Sequence, residues 1–388
     1  MKKIAIVTAT RAEYGLLSPV IRALRARETP EFRAELIVTG THLSEAYGKT
    51  VTEITERIDH EVPIPVASDS AACVSANQAE ALTAFTELFL REKYDAVVLL
   101  GDRYETLAVA IAAGNTRTPV FHLCGGDTTE GALDEWMRHA ITKIAALHFV
   151  TNEESRKRVI QLGEDPARVF NFGSTSIDNI LHTADLSRAE ALAEIGLPED
   201  SRIALCTVHP ATAEQDGTDG LAAAVLSAVR QFPEIRFIAT KSNADEGGAR
   251  INTLLDEAEK TTDNLHVFTS LGARRYLSLM KISEFVIGNS SSGIIEAPAL
   301  KVATVDIGDR QRGRLAPESV IHCAPDPQRI AEAIRTALSP EHREICLHVK
   351  HPYGNGNAGE RIAEKIASAV RAGDIDLKKK FYHIDFTV

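Results

Sequence analysis

Across 388 residues the chain has one tryptophan, five cysteines and 5% aromatic residues, and none is arranged as a disulfide or zinc framework requires. Cys73, Cys124, Cys206, Cys323 and Cys346 are odd in number, with neither CxxC nor Cys/His ligand spacing. They read as free thiols in a reducing compartment, with no metal site. No apolar run is long enough to cross a bilayer. The opening Met1-Lys-Lys-Ile-Ala-Ile-Val-Thr8 meets Arg11 and Glu13 too soon for a signal peptide and reads as a first buried strand, so a cytoplasmic protein is expected. Positive charge is also short: 43 Lys and Arg against 54 Asp and Glu, a net charge of -11, exclude wholesale wrapping of nucleic acid or attraction to anionic lipid. GxxxxGK[ST] is missing, and no GxGxxG stands at the end of a strand-like run, which weakens ATPase and dehydrogenase readings.

What is present is the composition of a globular enzyme, 44% hydrophobic and 25% charged, at a length suited to two domains. Short β-rich runs at 4–8, 34–39, 95–100, 119–123 and 169–172 alternate with helical periodicity, the signature of a doubly wound parallel sheet. The pattern pauses through 173–200 and resumes with runs at 203–208, 236–240, 266–268, 285–287 and 303–307. The chain is therefore predicted to be α/β, with two Rossmann-like doubly wound parallel-sheet domains over residues 1–180 and 181–370, a cleft between them, and a tail over 371–388. Lys378-Lys-Lys380 reads as solvated tail.

Ligands of open α/β sheets bind beyond the carboxyl ends of the strands, and the residues there are polar. They are Thr10-Arg11, Gly101-Asp102-Arg103 and Cys124-Gly-Gly-Asp127 in the first half, then His209-Pro210, Lys241-Ser-Asn243 and Gly288-Asn-Ser-Ser-Ser-Gly293 in the second. Ser290, Ser291, Ser292 and Gly293 precede a helical stretch, so hydroxyls and free N–H groups there suit a diphosphate, although serines at such a turn are often plain N-caps. Glu296 follows one turn on, placed for ribose hydroxyls. Arg11, Arg103, Arg310, Arg312 and Arg314 are candidate partners for an anionic substrate, where any single arginine reads equally well as a solvated charge. Asp102, Asp127, Glu130, Asp134 and Glu135 supply acid–base groups. Asp134 and Arg138 have i, i+4 spacing, which fits a routine helix ion pair or a base held ionised. His209 is fixed by Pro210 at a strand end, as either a structural or a functional histidine.

In order along the chain, Thr10-Arg-Ala-Glu-Tyr-Gly15, Gly101-Asp-Arg-Tyr-Glu105, His122-Leu-Cys-Gly-Gly126, Asp134 through Arg138-His-Ala-Ile-Thr-Lys143, Val208-His-Pro210, Gly288-Asn-Ser-Ser-Ser-Gly293 and Gly308-Asp-Arg-Gln-Arg-Gly-Arg314 resemble the hydrolysing UDP-N-acetylglucosamine 2-epimerases of sialic-acid-type sugar biosynthesis. The resemblance runs over most of the chain. It implies a GT-B-like pair of lobes, a UDP-sugar substrate held mainly by the second, no cofactor, and a homodimer or homotetramer. It assigns Ser290, Ser291 and Glu296 to diphosphate and ribose; Ser292, Gly293, Asn243 and Arg314 are further expected substrate contacts from their places after strands and in the arginine cluster. Arg11 matches a phosphate-facing arginine and Arg310 an active-site arginine. Asp102, Asp134 and His209 match positions in or beside catalysis, and Glu130 is a further acid–base candidate. The family's pattern is broken at Cys124, where glutamate or histidine is usual, so at this catalytic position a thiol of lowered pKa carries the proton, or Asp127 or Glu130 takes the work, or the position tunes the substrate.

Overall fold

A computed structural model describes residues 1–45, 49–65, 71–128, 134–209, 215–241, 248–311, 314–373 and 375–385. The chain divides into two compact units, Met1–Asn179 with Tyr353–Val388, and Ile180–Pro352. The first contains β1 (Lys2–Thr8), α1 (Arg11–Arg25), β2 (Phe32–Thr39), β3 (His60–Val62), α2 (Ala71–Glu92), β4 (Ala96–Leu100), α3 (Tyr104–Asn115), β5 (Val120–Leu123), α4 (Asp134–Ile144), β6 (Leu147–Val150), α5 (Glu153–Gln161) and β7 (Val169–Asn171). Helix α6 (Thr175–Thr183) carries the chain out. The second unit contains α7 (Arg188–Ala193), β8 (Ile203–Thr207), α8 (Gln215–Val229), β9 (Arg236–Thr240), α9 (Gly248–Glu259), β10 (Leu265–Phe268), α10 (Gly272–Ile282), β11 (Phe285–Gly288), α11 (Ser292–Ala299), β12 (Ala303–Ile307), β13 (Val320–Cys323), α12 (Pro327–Ala337) and α13 (Pro340–His348). Helix α14 (Ala358–Ala372) belongs to the first unit.

Both sheets are parallel, in the orders β3-β2-β1-β4-β5-β6-β7 and β10-β9-β8-β11-β12-β13. Each order reverses direction once, between β1 and β4 and between β8 and β11, and a crevice opens at such a reversal because adjacent connections leave on opposite faces. Three strands escape the sequence pattern: β3, β6 and β13 are edge or near-edge strands of three or four residues, too short to show a period.

Alternation along β1 divides the first core. Ile4 and Ile6 face Leu17, Val20 and Ile21 of α1 and Ile362 and Ile366 of α14, while Ala5 and Val7 face the layer of α2, α3 and α4. The second core joins β8, β9, β11 and β12 to α8, α9 and α12 through Phe237, Phe285, Val225, Ile251 and Ile334.

The predicted second domain through residue 370 and free tail beyond it are corrected here, because Tyr353–Val388 pack with the first unit. Gly354-Asn-Gly-Asn-Ala-Gly359 carries the spacing GxGxxG at the start of α14, with no strand before it. A Cβ on Gly359 would lie 2.7 Å from Pro19 Cβ, so this glycine serves helix packing. Asp178 already fills the helix terminus, accepting from the N–H groups of Ala358 (3.2 Å) and Gly359 (3.0 Å). Within the lysine run Lys378 and Lys380 are exposed, as expected of a solvated tail, whereas Lys379 is bound to Glu164 at 2.6 Å and to carbonyls at the end of α4.

Candidate active site

At the first reversal, β1 ends in a turn closed by a capping box between Thr10 and Glu13. Glu13 accepts from the N–H groups of Ala9 (2.8 Å) and Thr10 (3.1 Å) and from the Thr106 hydroxyl (3.3 Å). Burial pushes its carboxyl up to about 7. Arg11, the first helical residue, is left exposed, 2.8 Å from Glu53.

Asp102 follows β4 and is bound by Arg138 from α4. The same guanidinium donates to the Asp127 carbonyl (2.5 Å) and to Glu135 (2.8 Å), so a side chain only 7% exposed ties three strand and helix ends together. Behind Asp102, the Nε2–H of His122 donates to the Gly101 carbonyl at 2.8 Å, and Thr142 of α4 lies 3.4 Å from Nδ1. Burial holds this imidazole neutral, down at about 3.

Cys124 stands after β5 with φ +62°, a left-handed conformation that costs on the order of 1 kcal/mol in a residue with a side chain. Burial, reinforced by the charge of Asp127, pushes its thiol well above the ordinary range, so it stays protonated and is poorly suited to the proton-carrying role considered for it. The Oδ1 of Asp127 accepts from Thr151 (2.7 Å) and Ser155 (2.6 Å) and thereby anchors α5. Asp134 opens α4, where only its backbone placement is described. Glu130, Pro210, Asn243 and Arg312 lie outside the described residues.

At the second reversal β11 crowds β8. A Cβ on Gly288, at φ +138°, would lie 1.9 Å from the Thr207 carbonyl oxygen. Asn289 follows, 1% exposed, and links the site: its Oδ1 accepts from the His209 N–H at 2.7 Å, and its Nδ2 donates to the His209 carbonyl at 2.9 Å. Its own carbonyl accepts from Gln311 (2.8 Å) and Arg310 (3.1 Å). Asn289 was not singled out as a site residue by sequence, its only signal being its place within a quoted motif, and Arg138 was read only as an i, i+4 partner of Asp134, not as the partner of Asp102.

A pocket of about 350 Å³ opens beside this turn, lined by Thr207, His209, Lys241, Tyr276, Ser290 and Ser292 among others. The N-termini of α10, at Leu271-Gly272-Ala273, and α11, at Ser290 and Ser292, both contribute to its wall. In neither does the N-cap residue's own side chain bond the first turn, although the Ser270 and Ser290 hydroxyls accept from the Gly272 and Ser292 N–H groups at 3.3 and 3.4 Å; the positive end of each helix dipole still favours an anion. Ser292 lies beside Tyr276 and Glu296, and burial raises the Glu296 carboxyl above its ordinary value. Gly293 lets α11 sit against Thr304, whose hydroxyl donates to the Gly293 carbonyl at 2.7 Å. Ser290, Ser292 and His209 are thus brought to one pocket, and Ser291 is the N-cap residue of α11 between the two serines. Arg314 lines a different hollow of about 520 Å³, with Gln311, His322 and Cys323.

For metal binding, one set of described residues has suitable atoms close together: Glu35, His60 and Glu92. Lys3 already lies 3.6 Å from Glu35 and 2.9 Å from Glu92, supplying the cation that such a cluster calls for.

The family model described as UDP-N-acetylglucosamine 2-epimerase matches residues 24–367. A GDP/UDP-N,N'-diacetylbacillosamine 2-epimerase (hydrolyzing) of Campylobacter jejuni is 39% identical, over 82% of this chain and 84% of that protein. Polysialic acid biosynthesis protein P7 of Escherichia coli is 37% identical, over 99% and 98% of the two chains. Among solved structures, UDP-GlcNAc 2-epimerase from Neisseria meningitidis bound to UDP-GlcNAc superposes with a TM-score of 0.79 at 20% identity, covering 95% of this chain and all of that one, which establishes a shared GT-B-like fold. A family match over most of the length and relatives well above 30% identity together place this chain in the UDP-N-acetylglucosamine 2-epimerase family.

Proposed function

We propose that this protein is a hydrolysing 2-epimerase that converts UDP-N-acetylglucosamine and water to N-acetylmannosamine and UDP, in sialic or nonulosonic acid biosynthesis. The observation that carries the reading is the pocket beside β8 and β11, lined by two helix N-termini and serine hydroxyls that suit a diphosphate, with Glu296 one turn along α11 as the candidate for the ribose. Ser290, Ser291, Ser292 and Gly293 hold the diphosphate, and Glu296 takes the ribose. Arg11, Arg310 and His209 stabilise the departing UDP.

The reaction needs groups that move protons at C2. A base removes the C2 proton as the C1–O bond breaks, with the electron pair leaving on UDP, and a 2-acetamidoglucal results. Water then gives its hydroxyl to C1, while C2 regains a proton on the opposite face. Asp102 and Asp134 carry these transfers, and Arg138 keeps the Asp102 carboxylate oriented. Cys124, as a neutral thiol, shapes the sugar site.

The names of two relatives favour a second substrate for the same chemistry. The Campylobacter jejuni protein and a Legionella pneumophila protein, 34% identical, are both described as N,N'-diacetylbacillosamine 2-epimerases. Here the sugar is UDP-2,4-diacetamido-2,4,6-trideoxyglucose.

Incubation with each UDP-sugar in D2O, without metal or acceptor, tests the reading by proton NMR. Free 2-epimeric sugar deuterated at C2, appearing with UDP, is expected, and the ratio of kcat/KM values ranks the two sugars. Accumulation of a UDP-linked epimer with no free sugar would reject hydrolysis, and turnover only with an added acceptor would indicate a glycosyltransferase.

A further inference from the structure

The last ordered turn of α4 is held by a segment far away in sequence. Lys379 Nζ donates to the carbonyls of Lys143 (2.9 Å) and Ala145 (2.7 Å), which end that helix, where a cation is favoured by the exposed carbonyl dipoles. It also pairs with Glu164 at 2.6 Å. Glu164 is 1% exposed and is further bound by Lys143 (2.6 Å) and by the buried His148 (3.1 Å). Two residues on, the Phe381 ring lies directly against Gly163, where an added Cβ would meet it at 2.4 Å. The Tyr382 N–H donates to the Gly163 carbonyl at 2.9 Å, and Lys143 lies over the Phe381 ring at 5.2 Å.

Helix α4 is also the element that carries Arg138, the partner of Asp102. One turn after Arg138, Thr142 lies beside His122, which in turn holds the Gly101 carbonyl immediately before Asp102. A shift of the C-terminal end of α4 therefore reaches Asp102 by two routes, through the guanidinium and through the imidazole.

We propose that residues 375–382 form a strap that positions the Asp102–Arg138 pair by fixing the end of α4, with Lys379 as its positioning residue. The proposal rests on the reading that Asp102 serves the elimination. The strap's described hydrogen bonds and ion pairs go to residues of the first unit, whereas the nucleotide pocket is lined by residues of the second, so its loosening is expected to act on turnover and to leave nucleotide affinity unchanged.

The chain's one tryptophan, Trp136, lies on α4 and is 56% exposed, which gives a probe of this helix independent of activity. In the full-length protein, Lys379→Met is expected to lower kcat by about tenfold, a misplacement effect, with KM for the UDP-sugar within twofold. Acrylamide quenching of Trp136 should rise in parallel, and Lys379→Arg should restore both. Phe381→Ala, which loosens the strap without touching Glu164, carries the same test if Lys379→Met fails to fold as judged by circular dichroism. A folded variant with kcat near the parent's, or with lowered kcat but unaltered Trp136 quenching, would overturn the strap. If the parent turns over none of the UDP-2-acetamido sugars, the proposed reaction fails, and the quenching comparison still decides whether the strap holds α4.

Discussion

Asn289 and His209 grip each other reciprocally: one carboxamide accepts the histidine's N–H at 2.7 Å and donates to its carbonyl at 2.9 Å. This imitates one rung of a β-ladder where the strands have ended, and it fixes the direction in which the His209 side chain leaves the backbone. Asn289→Ala leaves a buried donor and a buried acceptor without partners, which is expected to cost about 2–3 kcal/mol of stability and to raise KM for the UDP-sugar. Asn289→Asp retains the acceptor but turns the donor into a repulsive oxygen, so it should be no better than alanine. Urea denaturation of both variants, alongside their kinetics, checks the assignment; an aspartate variant of parental stability would contradict it.

Arg138 binds Asp102, Glu135 and the Asp127 carbonyl with one guanidinium. Arg138→Met should lower kcat by about 100-fold, with KM changed far less, because the lost contacts orient a reacting group and hold no nucleotide. Arg138→Lys should recover only part of the loss, since an ammonium lacks the fork that spans three acceptors. Steady-state kinetics on the two variants decide this, and a tenfold rise in KM with unchanged kcat would place Arg138 in binding.

The Cys124 thiol is pushed upward by burial, so it should stay neutral and shuttle no proton during turnover. Cys124→Ser is expected to keep kcat within about threefold of the parent, because a hydroxyl of similar size preserves the shape of the site without a thiol's acidity. Iodoacetamide at pH 8 should label Cys124 far more slowly in the native protein than in urea, as read by peptide mass spectrometry. A loss of 100-fold or more in the serine variant would return the proton-carrying role to this residue.

Glu13 gives the fold a pH dependence of known sign. Its carboxyl titrates near 4.5 when free and at about 7 when folded. Below pH 4.5 both states are protonated, between there and 7 only the unfolded chain ionises, and above 7 both are ionised. Stability contributed by this group is therefore complete below pH 4.5 and is lost as pH rises to about 7. Replacing the acid by Glu13→Gln should make the protein more stable than the parent at pH 8 by up to roughly 3 kcal/mol, with the difference shrinking toward zero at pH 4. Denaturation midpoints measured across this range test it, and a difference independent of pH would refute it.

Much of the architecture was legible because a buried parallel strand is an apolar run and its ligand-bearing turn is a sudden change to polar residues. Ile4–Thr8 followed by Thr10 and Arg11 shows both signals. Strand β3, His60-Glu-Val62, shows neither, because an edge strand pairs on one side only and tolerates charge. Asp102 and the serine turn were found from position along the chain, whereas Tyr276 was not, because its role depends on which face of α10 meets Thr207 and Ser292. Similarly, a single i, i+4 spacing could not reveal that Arg138 reaches across to the end of a neighbouring strand. The placement of Arg314 in a separate hollow was equally hidden, since closeness in sequence to Arg310 says little about direction within a loop.

The return of the chain to its first unit has a consequence for biogenesis. Residues 180–352 are a contiguous insertion, and the outgoing and returning segments meet where the Ser174 N–H donates to the Tyr353 carbonyl at 2.7 Å. During synthesis the inserted unit has all its residues before the surrounding one does. Until α14 emerges, the nascent first sheet lacks Ile362, Ala363 and Ile366 and leaves the apolar side of α1 uncovered. The unit begun first is therefore finished last, and a ribosome stalled before residue 353 would display a sticky half-core that chaperones can recognise.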